Sequence, residues 1–475
     1  GSYNVGIGEG SLQSNTTANN NTAVGYQAGF SNTTGTGNTF IGEQSGYYNT
    51  TGSSNTALGE NAYAGGNTAT GSYNTAIGKD ALTQNTSGAY NTTLGAFAAD
   101  AITTGSNNTA VGYNSLTVAT TGDSNTAIGH QALLVTTTAS NNTAVGTDAL
   151  GANTTGTNNT GIGRQALLSA TTASSNTAVG YAALDANTTG EHNTAVGRDA
   201  LGAHTTAEGA TALGSLALQL NTTGASNVGI GYTALRYNTT ALGNTAVGAG
   251  ALSANTTGFQ NTALGYVTGD GNQTGNYNTF IGSQTGRSTT SNVNTFIGYA
   301  AGYYVSSGAK NTILGGYQGN QGGLDIRTSS NYIVLSDGDG NPRLYMNNNG
   351  YLHSDQTYAN TSGGTANVGI ASSGQFYRST SSLRYKNTIN DATHGLTELL
   401  ALRPVTYKGN NDGDTIFGGL IAEEVHDAGL TEFVTYNDDN EPDALAYGNM
   451  VSLCIKAIQE QQTTITALEA RIAAL

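Results

Sequence analysis

A five-residue unit, Asn-Thr-Ala-Val-Gly or a close variant, recurs nineteen times between Asn4 and Gly315, and nearly every step between copies is 17 residues. The exceptions are a step of 19 from Asn55 and one of 16 from Asn278. A fixed period of this length implies a stack of equivalent coils, because one coil cannot bury its own apolar face whereas a column of coils shares one core. The fourth position is Ile, Val or Leu in every copy, from Ile7 and Val24 to Leu314, and reads as an inward-pointing strand residue. The third is mostly Ala, as at Ala23, Ala57 and Ala110, which leaves room for close backbone approach. The fifth is always Gly, suited to a bend that a side chain would block. A weaker half-unit follows, such as Gln27-Ala28-Gly29 or Gln131-Ala132-Leu133, and turns like Asn153-Thr154-Thr155-Gly156 close the coil. Two short strands and two turns per coil predict a parallel β-solenoid. At roughly 4.8 Å per coil, nineteen coils make a shaft about 90 Å long.

Composition supports this and removes competitors. Charged residues are 9% of the chain, with 68 Gly, 3 Pro and no Trp. An ordinary globular domain is about a quarter charged, and disordered chains are rich in charge and Pro, so neither class fits. Frequent Gly and Asn-Thr pairs oppose a helical repeat. A calcium-binding β-roll needs periodic Asp, which the chain lacks. The net charge of −15 argues against nucleic acid or anionic lipid as partners. A single cysteine, Cys454, excludes an intrachain disulfide framework. No apolar run is long enough for membrane insertion and no signal segment is evident. The start at Gly1 reads as a fragment or processed product whose N-terminal attachment region is missing. The many Asn-x-Thr triplets read as solenoid turns rather than glycosylation acceptors.

Motifs such as Asn142-Thr143-Ala144-Val145-Gly146 resemble the head repeats of YadA-type trimeric autotransporter adhesins. The resemblance covers residues 1–320 and implies a left-handed parallel β-roll with three chains side by side. The unit here is longer than that family's usual repeat, and the family's membrane-anchor barrel has no counterpart in this sequence.

Residues 321–380 read as a β connector. Tyr332-Ile333-Val334-Leu335 and Arg343-Leu344-Tyr345-Met346 flank a turn and predict a hairpin. Asp337, Asp339 and Asn341 match the first ligand positions of a calcium loop, but Pro342 replaces the required Gly and no closing Glu follows, which favours simple turn chemistry and no metal. Ala366-Asn367-Val368-Gly369-Ile370 predicts a further strand. Beyond residue 381 charge density rises, and a small α+β domain is expected. Residues 396–402 predict a short helix ended by Arg403-Pro404, and Val405-Thr406-Tyr407 and Gly419-Leu420-Ile421-Ala422 predict strands. Residues 451–475 predict a long helix with a coiled-coil seam of Val451, Ile458, Ile465 and Ile472, joined by Cys454, Leu468 and Leu475. His426 with Glu423 and Glu424 reads as a solvated helix face rather than a metal site.

The C-terminal segment order resembles the intramolecular chaperone domain of phage endosialidase tailspikes and related fibres. The matching stretches are Ser381-Ser382-Leu383-Arg384-Tyr385-Lys386, Leu400-Ala401-Leu402-Arg403-Pro404-Val405-Thr406-Tyr407, Gly419-Leu420-Ile421-Ala422-Glu423-Glu424-Val425 and Tyr447-Gly448-Asn449-Met450-Val451, leading into Ala457-Ile458-Gln459-Glu460-Gln461. The resemblance implies a domain that trimerises, templates folding of the upstream β-structure and releases itself through a Ser-Lys dyad. It makes Ser381 the nucleophile and Lys386 its base, with cleavage between Thr380 and Ser381, and gives Arg384 either a supporting or an ion-pairing part. A serine hydroxyl needs a base to take its proton, and a lysine serves when burial lowers its pKa. The family usually has Asp after the serine; this chain has Ser382.

The expected whole is a structural homotrimeric phage tail fibre on the virion that contacts a host surface glycan or protein. Other tail proteins would join it through the missing N-terminal region. Single-turnover autoproteolysis is its only expected chemistry, and it needs no cofactor. Tyr26, Tyr113, Tyr181, Tyr232, Tyr266 and Tyr299 follow the invariant Gly and suit either sugar stacking or packing between coils. A bacterial trimeric adhesin is the alternative. A glycan-degrading tailspike is less suited, since it needs paired carboxylates that the shaft lacks.

Overall fold

The computed structural model describes residues 1–354, 368–370, 376–378, 388–410, 414–437 and 439–475. Two compact units span Gly1–Asn360 and Thr361–Leu475. In the first, every copy of the repeat forms one three-residue strand, from β1 (Val5–Ile7) to β19 (Thr312–Leu314). Each strand pairs in parallel with equivalent residues of the next coil, as Ala127 with Ala144 and Ala144 with Gly161. The chain is thus a mainly β parallel solenoid of 17-residue coils, as the period requires.

Side-chain orientation in the strand is the reverse of the expectation. Ala23, Ala110 and Ala144 are fully buried, whereas the aliphatic fourth position turns outward and is 37–60% exposed at Ile7, Ile41, Leu58, Leu94 and Leu264. The reason lies across the coil. Leu116, Leu133, Leu150 and their equivalents in the second half-unit are fully buried and fill the interior. A Cβ placed on Gly161 would lie 3.3 Å from Leu150, so the facing strand position has space for little more than Ala. Strand alternation then sends the Thr and the aliphatic residue on either side of it outward.

The second half-unit is not a strand either. It runs through turns with left-handed backbone at alternate residues, φ being 55° at Asp80 and 53° at Leu82. Coil-to-coil hydrogen bonds persist there, with Leu82 N donating to Ala98 O at 3.0 Å and Gln84 N to Asp100 O at 2.9 Å. A left-handed leucine costs roughly 1–2 kcal/mol, whereas burying its side chain gains about 1.5–3 kcal/mol. Burial wins.

The two core columns exchange volume. Where Phe replaces Ala in the strand, Gly replaces Leu opposite: Phe40 is met by Gly29 and Gly46, and Phe280 by Gly269 and Gly286. A Cβ on Gly29 would fall 2.8 Å from the Phe40 ring. Native packing density leaves no other way to fit the ring.

Asparagine ladders run through the polar interior, although the Oδ1 atoms of Asn49, Asn85, Asn153 and Asn255 are buried without a hydrogen-bond partner. Asn142 Oδ1 accepts the Asn159 amide at 3.0 Å, and Asn142 Nδ2 donates to Gly156 O at 2.9 Å. Asn153, from a second column, donates to the same carbonyl at 3.0 Å. The start of the strand is thereby tied to the turn that ends its coil. The invariant glycine also has a definite cause. Gly146 has φ 133°, and a Cβ there would collide with the Gly163 carbonyl of the adjacent coil.

Stacking outlasts the sequence repeat. Strand β20 (Ile333–Ser336) pairs in parallel with β19, Thr312 opposite Ile333, before turning into β21 (Pro342–Met346) and β22 (Leu352–His353) as antiparallel neighbours. In the second unit β23 (Val368–Ile370) pairs with β24 (Phe376–Arg378). Then come α1 (Leu396–Ala401), the hairpin β25 (Val405–Tyr407) with β26 (Phe417–Gly419), α2 (Ala422–Asp427), the hairpin β27 (Val434–Tyr436) with β28 (Pro442–Leu445), and α3 (Tyr447–Ala473). The strand expected at residues 419–422 is displaced: it ends at Gly419, and Ala422 already opens α2. Val425, Leu430, Phe433, Val434, Met450 and Leu453 form a small core of their own.

Candidate functional site

Thr380, Ser381, Arg384 and Lys386 lie outside the described residues. The surfaces that can be built from the structure are the outward rows of the solenoid and the exposed face of α3.

One row follows directly from the strand geometry. The fourth position of every unit points out of the coil, and parallel in-register pairing aligns these side chains, as Val111, Ile128 and Val145 on successive strands. The result is an aliphatic stripe running the whole solenoid, with Leu213 46%, Ile297 37% and Leu314 39% exposed. It continues onto β20 as Leu335, which is in register with Leu314. The sequence signal for this row is the invariance of the position, but invariance does not distinguish an outward aliphatic residue from a core one; the direction comes from the buried Ala beside it. The tyrosines after the invariant glycine form a sparser row, 46–64% exposed at Tyr26, Tyr113, Tyr181, Tyr232, Tyr266 and Tyr299. Of these, Tyr113 stacks on His130 of the adjacent coil, ring centres 5.7 Å apart, and Arg164 lies 5.9 Å from the centre of the Tyr181 ring.

Helix α3 divides into two faces. Met450, Leu453 and Ala457 are buried against the core of the second unit. Val451, Ile458, Ile465, Leu468 and Ile472, the seam read from the heptad spacing, are 41–69% exposed, and Cys454 is exposed among them. Ile455, 52% exposed, widens the seam. Glu460 reaches back to accept the Leu396 amide at 2.8 Å and so fastens α1 to α3. Beside this helix a cleft of about 620 Å³ is lined by Arg403, Tyr407, Leu420, Glu423, Asp443 and Tyr447. Tyr447 Oη accepts the Leu420 amide at 2.7 Å and shapes its wall.

Three of the candidate metal ligands, Asp337, His426 and Glu424, have other partners. Asp337 accepts the Asn341 amide at 2.8 Å and Arg343 Nε at 2.8 Å; these bonds, the backbone one first, hold its carboxyl below the usual carboxylate range. His426 Nδ1 bonds Tyr436 Oη at 2.8 Å, while Glu424 pairs with Arg403 and Glu423 faces the cleft. Among the described residues no group of three His, Cys, Asp or Glu side chains converges on a metal position, and no helix is long and apolar enough to cross a membrane. Compared with protein-family models, with curated proteins and with solved structures, the chain finds no match. A β-solenoid of stacked coils is compatible with a fibre-like or adhesin-like structural protein.

Proposed function

We propose that this chain is the shaft and folding domain of a homotrimeric phage tail fibre that attaches the virion to a host surface glycan or protein. The observation that carries the reading is the continuous outward aliphatic stripe. Burying an aliphatic side chain fully is worth about 1.5–3 kcal/mol. Recovering about a third of that at nineteen coils gives on the order of 10 kcal/mol per chain, which is comparable with the cost of association. A stripe this long and narrow suits side-by-side packing of identical shafts, each meeting its own repeat in register. The exposed seam of α3 adds a second apolar face beside the small core of the second unit. Trimerisation at that end would set the register in which the shafts align.

The C-terminal domain then releases itself. Lys386 takes the proton of Ser381 Oγ, which attacks the Thr380 carbonyl carbon. The peptide C–N bond breaks, the Ser381 nitrogen leaves as the protonated amine, and water hydrolyses the resulting ester. Expression of wild type beside Ser381→Ala tests this step: wild type loses roughly the last fifth of its length on a denaturing gel and the mutant does not. Uncut bands from both refute the cleavage. Mass measurement in solution tests the assembly. Wild type runs as three chains, and Val111→Asp/Ile128→Asp/Val145→Asp, all outward positions, runs as one; a folded wild-type monomer refutes the trimer.

A further inference from the structure

The solenoid departs most from its own rule at its C-terminal end. From Thr312 to its partner Ile333 the coil takes 21 residues rather than 17, and the surplus forms a loop before β20. This loop is held firmly. Tyr317 Oη donates to Leu324 O at 2.7 Å, and Ile326 is fully buried with its amide on Gly319 O at 2.8 Å. The loop raises Asp325 and Arg327 against the coil below and closes a cleft of about 290 Å³ lined by Tyr304, Ser306, Asp325, Arg327 and Thr328. Drug-sized ligands occupy pockets from roughly 300 Å³ upward, so this cleft has space for a single ring.

We propose that this cleft binds one neutral hexopyranose unit of a glycan, with Tyr304 as stacking platform and the Asp325–Arg327 pair as the reader of two vicinal hydroxyls. The Tyr304 ring is 48% exposed for the whole residue and is set edge-on against Tyr303, centres 4.7 Å apart at 68°. Tyr303 is itself fixed by Arg287, whose Nη1 donates to its hydroxyl at 2.8 Å. A rigid aromatic face matches the C–H face of a pyranose. Arg327 grips Asp325 through Nε at 3.0 Å and Nη2 at 2.8 Å, which leaves the second N–H of Nη2 next to the outer lone pair of Oδ2. One sugar hydroxyl accepts from the guanidinium while its neighbour donates to the carboxylate. The pair carries no net charge, so an acidic sugar would meet Asp325 and an amino sugar would meet Arg327, each at a disadvantage. Ser306 Oγ donates to Arg327 O at 3.2 Å and fixes the floor. The cleft stands on the second half of its coil, away from the strand that carries the aliphatic stripe.

This inference rests on the attachment reading and names its ligand class. The test uses the full chain with methyl glucoside, galactoside and mannoside, followed by saturation-transfer NMR and calorimetry. At least one binds saturably. Tyr304→Ala weakens it about tenfold or more, Tyr304→Phe retains it, and Asp325→Asn, which loosens Arg327, weakens it. Absence of saturable binding to all three, or equal binding by Tyr304→Ala, overturns the cleft assignment. Solution mass is measured on the same samples. A trimer without hexoside binding refutes the cleft and leaves the fibre standing, whereas a monomer that binds through Tyr304 does the reverse.

Discussion

The first asparagine column has one gap, and filling it should strengthen the shaft. Ala210 occupies the position held by Asn in the other copies of the unit. In the coil before it, Asn193 Oδ1 accepts the Ala210 amide at 2.9 Å and Asn193 Nδ2 donates to Ala207 O at 3.0 Å. At residue 210 both bonds are missing: the amide of buried Asn227 meets no asparagine oxygen, and Gly224 O receives only Asn221, at 2.8 Å. Ala210→Asn would supply two hydrogen bonds, each worth about 0.5–1.5 kcal/mol net. Ordering the new side chain takes back up to ~1 kcal/mol. The expected gain is about 1 kcal/mol, a roughly fivefold slowing of local exchange. Stacked coils need not unfold together, so hydrogen-exchange mass spectrometry over residues 194–228 is the suitable assay. The amides of Thr194, Thr211 and Val228, which bridge these coils, should report the change. Unchanged or faster exchange would show that the ladder bonds add nothing net and that the column merely fills space.

Phe40→Ala should cost about 3–5 kcal/mol, seen as a lowered unfolding midpoint, because it empties the space shared with Gly29 and Gly46. Adding Leu at positions 29 and 46 should recover most of that loss, and failure to recover would refute volume exchange between the columns. Gly146→Ala should open the solenoid at its own coil, read as new protease cleavage near residue 146, since its Cβ would strike the Gly163 carbonyl. His204 is fully buried, its ring bonded to Ala207 O at 2.9 Å and to Asn221 Nδ2 at 3.1 Å, and burial lowers its pKa from the ordinary 6.5. As pH falls through about 6.5 the unfolded chain takes up the proton first, so the stability of this coil is full above that pH and lost below it. His204→Asn, which matches Asn187 and Asn221 in its column, should flatten exchange rates between pH 7.5 and 5.5; an unchanged pH slope would refute the assignment.

Periodicity alone determined the coil, its parallel stacking and all rungs up to β19, because equivalent residues at a fixed spacing can share a buried face by stacking; the rung at β20 lies beyond the repeat. The heptad spacing likewise located the seam of α3 and left it without a partner in the single chain. What the sequence concealed was direction. An invariant Ile, Val or Leu beside a variable Ala looks like core beside surface, and it took the buried leucines of the second half-unit to show that the Ala faces inward. The information was partly present, since Gly29, Gly46, Gly269 and Gly286 stand in the leucine column wherever Phe40 or Phe280 enters the core. The left-handed turns were only half legible: Asp80 belongs to a type that tolerates positive φ, whereas Leu82 has no such preference and adopts it because burial outweighs the strain. The cleft at Tyr304 was hidden for a related reason: its residues come from two coils, and only stacking brings the loop at Asp325 over the turn below. A repeat fixes what lies along the chain, and tertiary packing decides which side of it meets water.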